Sequence, residues 1–254
     1  MKRLIVISLC LLVAAAGLVG YLTFLRPPDN PPAACTAEPT RPRVVAAGDS
    51  LTQGSLGANW LAALRAKHPA YEFVNAGING NTSADLLRRV DSDIVACRPA
   101  AVTLLIGTND VRDDVPLDQY RNNLRGTIER VKAQTGARVA LMSLPPLGED
   151  LNTDINRKLT GYNAAIKEIA TQANADYLPL HERMAEILRE GPRTAYDFSF
   201  PLAFEAAAQH YLFQRGWDEI ARSGGRELLV DHVHLADRGG AIVADLTTDW
   251  LHGL

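Results

Sequence analysis

Residue types that mark several protein classes are scarce in this chain of 254 residues. Its only cysteines are Cys10, Cys35 and Cys97, which are too few for a disulfide-dense scaffold and lack the paired spacing of a zinc site. The net charge is −3, so the chain has no excess of basic residues of the kind that nucleic-acid binding requires. We therefore expect no metal, no other cofactor and no nucleic-acid partner.

Long hydrophobic runs are also missing, except for one at the N-terminus. Leu4 to Leu25 are 22 residues without a charge, and as a helix they would extend about 33 Å, enough to cross a bilayer. Lys2 and Arg3 precede the run and place the N-terminus in the cytoplasm. A cleaved signal peptide, which would leave a secreted protein, has a shorter apolar region of about 7–15 residues. The length favours a membrane anchor over residues 1–25, with the rest of the chain in the periplasm or outside the cell.

The next segment, residues 26–42, is rich in proline. It contains six of the fourteen prolines of the chain, a composition that favours extended polyproline geometry. We therefore predict a semi-rigid stalk between the anchor and a folded domain over residues 43–254.

Short apolar runs alternate with helix-period segments from Arg43 onward, which predicts an α/β fold. Each parallel crossover needs a helix, so the alternation implies a five-stranded parallel sheet between two helical layers, a three-layer α/β/α sandwich. One continuous helix is expected from about Ser83 to Ala96. The predicted strands are Val44 to Ala47, Glu72 to Asn75, Ala101 to Ile106, Arg138 to Leu144 and Ala175 to Leu180.

Four polar blocks follow predicted strands or precede the last helix. Because ligands of such sheets bind outside the carboxyl ends of the strands, these blocks are the candidate site. They are Gly48-Asp49-Ser50-Leu51, Asn75-Ala76-Gly77-Ile78-Asn79-Gly80-Asn81-Thr82, Gly107-Thr108-Asn109-Asp110 and Asp231-His232-Val233-His234.

In this order and spacing, the four blocks resemble those of the SGNH, or GDSL-type, serine esterase and lipase superfamily. The resemblance runs from Gly48 to His234 and implies a flavodoxin-like sheet and hydrolysis of carboxylic esters through an acyl-serine intermediate. By the same resemblance Ser50 is the nucleophile, Asp231 and His234 complete the triad, and Ser50, Gly77 and Asn109 form the oxyanion hole.

The chemistry suits these residue types. An imidazole with a pKa near 6.5 can take the proton of a serine hydroxyl at neutral pH and return it to the leaving group. Asp231, three residues before His234, can accept the other ring N–H and fix the tautomer. Gly77 would leave the approach of the substrate unobstructed.

The substrate stays open at this point. Small acyl esters, lysophospholipids and acetylated cell-envelope glycans all fit an ester hydrolase held at a membrane. An alternative is a weak or inactive module of the same fold that binds envelope carbohydrate or a protein partner, although no triad residue is missing.

Two further features carry predictions. Seven of the sixteen aromatic residues lie between Tyr196 and Trp217, within an insertion at about 192–229 that is either a lid beside the site or a packing element.

Cys35 and Cys97 precede the first and third strands, which are neighbours in a 2-1-3-4-5 sheet, so we predict a disulfide if the domain lies outside the cytoplasm.

Overall fold

A computed structural model describes residues 2–191 and 193–253, and five parallel strands form its centre. Met1, Pro192 and Leu254, which the predicted domain and insertion ranges include, lie outside the described residues. The strands are β1 (Arg43–Gly48), β2 (Glu72–Gly77), β3 (Ala101–Leu105), β4 (Arg138–Met142) and β5 (Asp176–Leu178). Their order in the sheet is β2-β1-β3-β4-β5, so the predicted α/β/α sandwich is confirmed.

The central strands β1 and β3 are buried on both faces, as their continuous apolar runs require. Every residue of β1 and β3 is buried. In the register of the sheet, Gly48 lies beside Gly77 on one side and beside Leu105 on the other. The loops that follow β1, β2 and β3 therefore leave the sheet side by side, which brings three of the four polar blocks together.

Helices cover both faces of the sheet. The helices that follow β1 are α2 (Ser50–Gln53), α3 (Trp60–Lys67), α4 (Ser83–Arg88), α5 (Val90–Asp93), α6 (Thr108–Arg112), α7 (Leu117–Gln134), α8 (Asp154–Gln172), α9 (Leu180–Leu188), α10 (Phe200–Phe213), α11 (Trp217–Ser223) and α12 (Asp237–Leu251). One layer packs α4 and α5 against α7, and α7 against α8, while the other packs α12 against α3 and α9.

The helix expected from Ser83 to Ala96 is divided into α4 and α5, so this prediction was wrong in its continuity. Arg89 lies between the two helices, and its guanidinium donates to the carbonyls of Gly48 and Ala76, each at 2.8 Å. The chain leaves helical geometry where this side chain reaches the ends of β1 and β2.

The N-terminal apolar run forms a helix, α1 (Lys2–Gly20), which continues as a π-helical turn over Tyr21–Leu25. By length and composition, residues 3–25 can cross a membrane. Residues 3–14 are exposed, whereas the end of the run contacts α10 and there Val19 and Thr23 are fully buried.

Residues 26–42 lie along the sheet instead of extending as the predicted stalk. The Asn30 amide donates to the Phe73 carbonyl at 2.8 Å, and the Asn75 N–H donates to the Asn30 carbonyl at 2.9 Å. Cys35 forms a disulfide with Cys97, with their Cα atoms 5.0 Å apart. These links outweigh the tendency of a proline-rich segment to extend into solvent.

Candidate active site

Ser50 stands at the first position of α2, directly after β1. Asp49 caps this short helix, since its carboxylate accepts a hydrogen bond from the Leu51 N–H at 3.0 Å. A Cβ on Gly48 would lie 2.2 Å from the Leu105 carbonyl oxygen, so only glycine permits this tight passage from strand to helix. The N–H groups of a first helical turn have no partner within the helix, which leaves the Ser50 N–H available to a ligand.

His234 lies between Ser50 and Asp231. Its Nε2 is 3.0 Å from Ser50 Oγ and its Nδ1 is 2.8 Å from Asp231 Oδ2. Because the carboxylate accepts the proton of Nδ1, Nε2 is the acceptor for the serine hydroxyl. The structure thus brings together the three residues that the resemblance assigns to the triad, in the arrangement that proton transfer from serine requires.

Asp231 is fully buried and remains an acceptor for several N–H groups. Its Oδ1 accepts from the backbone of Val233 at 3.1 Å and of His234 at 2.8 Å. Burial acts to raise the pKa of Asp231, but the charge of His234 and these hydrogen bonds outweigh it, and the pKa is lowered overall. The carboxylate is therefore held in its charged form beside the imidazole.

A second buried carboxylate fixes the loop that carries Asp231 and His234. Glu149, which follows β4, accepts hydrogen bonds of 2.7–2.9 Å from the backbone N–H groups of Glu227, Leu228 and Leu229. Sequence reasoning missed Glu149, since nothing in its local pattern distinguishes it from a surface acid.

His232 has a different environment from His234. Its backbone adopts the left-handed conformation, with φ +74°, and its Nε2 lies 3.5 Å from Arg226. Burial and the charge of Arg226 lower its pKa. His232 accordingly supports the loop on the side of Arg226 and does not contact Ser50.

Asn109, in the first turn of α6, lines the pocket beside Ser50. Its amide nitrogen donates to the Asn81 carbonyl at 2.9 Å, and its amide oxygen accepts from Arg112 at 3.1 Å. These two bonds fix which end of the amide faces the pocket, leaving one N–H of Nδ2 for a ligand.

Arg112 is a site residue that sequence reasoning missed. Its Nε donates to the Tyr196 hydroxyl at 2.9 Å, and its guanidinium lies 4.4 Å from the centre of the Phe198 ring. Both aromatic residues are more than 80 positions away in the chain, so no local pattern pointed to Arg112.

Gly77 is placed differently from what the resemblance implies. Its N–H donates to Asn75 Oδ1 at 3.0 Å, and a Cβ at this position would lie 2.2 Å from the Gln53 nitrogen. Glycine is needed here for close packing of β2 against α2, and Gly77 does not line the pocket. The expected role of Gly77 is therefore wrong.

Gly80, in the same block, lines the pocket instead. It has φ +75°, a conformation that glycine adopts without strain, and a Cβ there would meet no atom within 4 Å. In the described part of the chain the Gly80 N–H makes no hydrogen bond, which suits a donor for an oxyanion. Gly80 is the second glycine of this polar block, and that glycine was the sequence signal from which its place at the pocket could have been predicted.

The pocket beside Ser50 has a volume of about 250 Å³. Polar groups lie beside Ser50, and the remaining wall is mostly apolar. Among the residues that the structure describes, no cluster of histidine, cysteine and acidic side chains is arranged for a metal ion. The apolar wall is formed by Phe24, Leu56, Phe198, Phe200 and Ala203.

Comparison with known proteins gives consistent matches. The model of the GDSL-like lipase/acylhydrolase family matches residues 46–242. An acetylxylan esterase of Geobacillus stearothermophilus is 29% identical over 152 residues, which are 54% of this chain and 69% of that protein. An uncharacterized lipoprotein of Bacillus subtilis, YqeF, is 31% identical over 121 residues, which are 42% of this chain and 49% of that protein.

Solved structures share the fold. The crystal structure of Axe2, an acetylxylan esterase from Geobacillus stearothermophilus, aligns over 82% of this chain and 93% of its own, with a TM-score of 0.62 and 23% identity. Structures described as catalytic mutants of Axe2 carry alanine in place of a serine, an aspartate or a histidine.

Proposed function

Since this chain belongs to the GDSL-like lipase/acylhydrolase family, we propose that Ser50, His234 and Asp231 hydrolyse carboxylic esters through an acyl-serine intermediate. The chain is an esterase-type hydrolase of the SGNH superfamily. The observation that carries the proposed mechanism is the chain of contacts from Ser50 Oγ to His234 Nε2, 3.0 Å, and from His234 Nδ1 to Asp231 Oδ2, 2.8 Å.

In the first half of the reaction, Ser50 Oγ attacks the ester carbonyl while His234 Nε2 takes the hydroxyl proton. Asp231 stabilises the imidazolium that forms, since its carboxylate faces Nδ1. The carbonyl oxygen becomes negatively charged. The N–H groups of Ser50 and Gly80 and the side-chain amide of Asn109 are the donors that we assign to it.

The tetrahedral intermediate then collapses. The bond to the alcohol oxygen breaks, and His234 returns its proton to that oxygen, so an alcohol leaves and the acyl group stays on Ser50. Water attacks the acyl carbon in the second half, with His234 accepting a proton from the water and returning it to Ser50 Oγ. The products are the carboxylic acid and the free enzyme.

The most direct test is Ser50→Ala in the full chain in detergent micelles. The substrate is a short chromogenic ester, and Ser92→Ala on the exposed surface of α5 is the matched control. We expect the rate constant kcat to fall by at least about 10³-fold in Ser50→Ala and to be unchanged in the control. Retention of activity by Ser50→Ala would refute the assignment of the nucleophile.

The site and the relatives each support a candidate substrate class. An acetylated glycan is supported by the acetylxylan esterase among the relatives. An ester with a longer hydrocarbon chain is supported by the apolar wall of the pocket. A panel of esters of increasing acyl length, run beside an acetylated glycan and a lysophospholipid, separates these substrates, and we expect the longer acyl esters to give the higher kcat/KM.

We also propose that residues 3–25 anchor the enzyme in a membrane, with the catalytic residues outside the cytoplasm. The length and composition of this helix support the proposal, as does the lipoprotein among the relatives. Fractionation of cells that express the full chain tests it, since an anchored enzyme stays with the membranes after a high-salt wash.

A further inference from the structure

The last two turns of the apolar N-terminal helix pack on the catalytic part of the chain. Val19 is fully buried in a small apolar cluster with Ala203, Ala206 and Ala207 of α10. Small side chains let two helices approach closely, and α1 and α10 are in contact here. The end of the helix is therefore a fixed part of the folded protein.

The Thr23 carbonyl makes the polar link between this helix and the site. In a regular helix it would accept the N–H of residue 27, but Pro27 has no N–H to donate. The carbonyl accepts instead from the Ser55 hydroxyl at 2.7 Å and from the Asn79 amide at 3.0 Å. Thr23 is fully buried, so water does not compete for these hydrogen bonds.

Asn79 carries this link into the active site. Its own N–H donates to Gln53 Oε1 at 2.7 Å, and its side chain lines the pocket next to Gly80. Gln53 in turn donates to the Arg26 carbonyl at 3.1 Å, which fixes the chain just after the helix. The loop that presents Gly80 is thus hydrogen-bonded directly to Thr23, and Gln53 links it to Arg26.

Phe24 lines the same pocket as Ser50 and His234. Together with Leu56, Phe198 and Phe200 it makes up the large apolar side chains of the wall. The next residue, Leu25, does not line the pocket and is 72% exposed. The end of the apolar helix therefore presents one side chain to the substrate space and the neighbouring one to the surroundings.

We propose that Phe24, at the end of the N-terminal helix that the buried Thr23 fixes to the site, forms a wall of the acyl-binding pocket and sets the preference for acyl length. This inference rests on the proposed esterase function and adds that the apolar helix takes part in substrate binding as well as in anchoring. The substrates it favours are esters with hydrocarbon acyl chains longer than acetyl, because only these reach an apolar wall beyond the reacting carbonyl.

The test compares Phe24→Ala with Leu25→Ala in the full chain, in detergent micelles, on chromogenic esters from acetate to decanoate. We expect Phe24→Ala to lower kcat/KM about tenfold for octanoate and decanoate, mainly through a higher KM, because contact with the ring is lost from ground and transition states alike. Acetate hydrolysis should change less than twofold, and Leu25→Ala should match the wild type for every ester.

A Phe24→Trp variant separates a change in the shape of the pocket from a loss of activity caused by impaired folding. The larger ring narrows the pocket, so the preference should move toward shorter acyl chains while the unfolding temperature stays that of the wild type. Equal length profiles for the wild type, Phe24→Ala and Phe24→Trp would overturn the inference. Ser50→Ala distinguishes failure of the proposed esterase function from failure of this inference. If the esterase function were wrong, Ser50→Ala would keep the wild-type activity on the acetate ester.

Discussion

Asp49, the residue before Ser50, is a fully buried acid with little to stabilise its charge. Its Oδ1 accepts from the Leu51 N–H, while its Oδ2 is buried without a hydrogen-bond partner in the described part of the chain. Burial raises the pKa of Asp49 to about 7, more than the Leu51 N–H and the charge of His234 lower it. The folded protein therefore binds a proton at Asp49 over a range of pH in which the unfolded chain has released it.

This predicts a pH-dependent effect of Asp49→Asn on stability. The folded pKa is above the unfolded value of 3.8, so the contribution of Asp49 is fully present below about pH 4 and is lost as the pH rises through about 7. The amide introduced by this substitution keeps the shape of the neutral acid and does not titrate. As the pH rises from 4 to 8, the free energy of unfolding of the variant should increase relative to that of the wild type by up to a few kcal/mol.

Chemical unfolding at several pH values measures this difference, with Asp249→Asn at an exposed position of α12 as the control. The control should follow the wild-type pH profile. A constant difference between Asp49→Asn and the wild type across this pH range would show that Asp49 is charged in the folded protein throughout.

At the scale of residues, the sequence predicts contacts that depend on residue type and short spacing. Asp231 and His234 are three positions apart in one loop, and the end of β1 places Ser50 at the same edge of the sheet. The choice between Gly77 and Gly80 depends on the path of the backbone through the loop, which two glycines in one block do not reveal. Arg112 depends on contacts with a distant segment, which a local pattern does not contain.

At the scale of secondary-structure elements, the break between α4 and α5 has a structural role. Arg89 donates to the carbonyls at the ends of β1 and β2, and also to Asn81 Oδ1 at 2.8 Å and Asp93 Oδ2 at 2.9 Å. Its side chain is 12% exposed. One guanidinium thus connects the carboxyl ends of two strands with the loop and helix that follow.

We therefore expect Arg89→Ala to be strongly destabilising. The change removes the guanidinium donor from the buried carbonyls of Gly48 and Ala76, of which Gly48 keeps only the longer bond of 3.2 Å from the Ile78 N–H, and should lower the free energy of unfolding by about 3 kcal/mol. Arg88→Ala is the matched control, because Arg88 is 71% exposed and pairs with Asp85 on the surface, a contact worth at most about 1 kcal/mol. Denaturant unfolding of both variants measures the difference, and equal losses would contradict the role of Arg89.

Sequence patterns predict the elements of this protein unequally. The central strands are recognisable because they are mostly apolar runs between turn residues, and the order of the sheet follows from the fold class. The hydrophobic periodicity from Ser83 to Ala96 contains no sign of the break, since Arg89 leaves the helix to satisfy carbonyls from other elements. For the aromatic insertion, the composition indicates either a lid or a packing element, and the structure forms α10 and α11 there.

At the scale of the whole molecule, composition predicts three successive parts, an anchor, a stalk and a domain. The structure instead packs the second part, and the end of the first, against the third. A count of prolines or apolar residues describes what a segment favours in isolation. Such a count does not describe contacts with distant residues. The Thr23 carbonyl, the Asn30 amide and the Cys35 sulfur each contact a residue at least 30 positions away. These contacts place the end of the apolar helix at the pocket.

The Cys35–Cys97 disulfide holds residues 26–42 covalently to the domain, and its contribution to stability is testable. It closes a loop across a sequence separation of 62, and restricting a chain of that length in the unfolded state is worth about 4 kcal/mol. We expect a thiol reductant to lower the unfolding temperature of the wild type to that of a Cys35→Ser, Cys97→Ser double variant, on which the reductant has no effect. Cys10→Ser is the control, because Cys10 is an exposed free thiol of α1 and its loss keeps the disulfide. If the reductant left the wild type unchanged, then either the bond would be absent in solution or the N-terminal segment would be held by its hydrogen bonds alone, and thiol titration of the unfolded protein distinguishes these two cases.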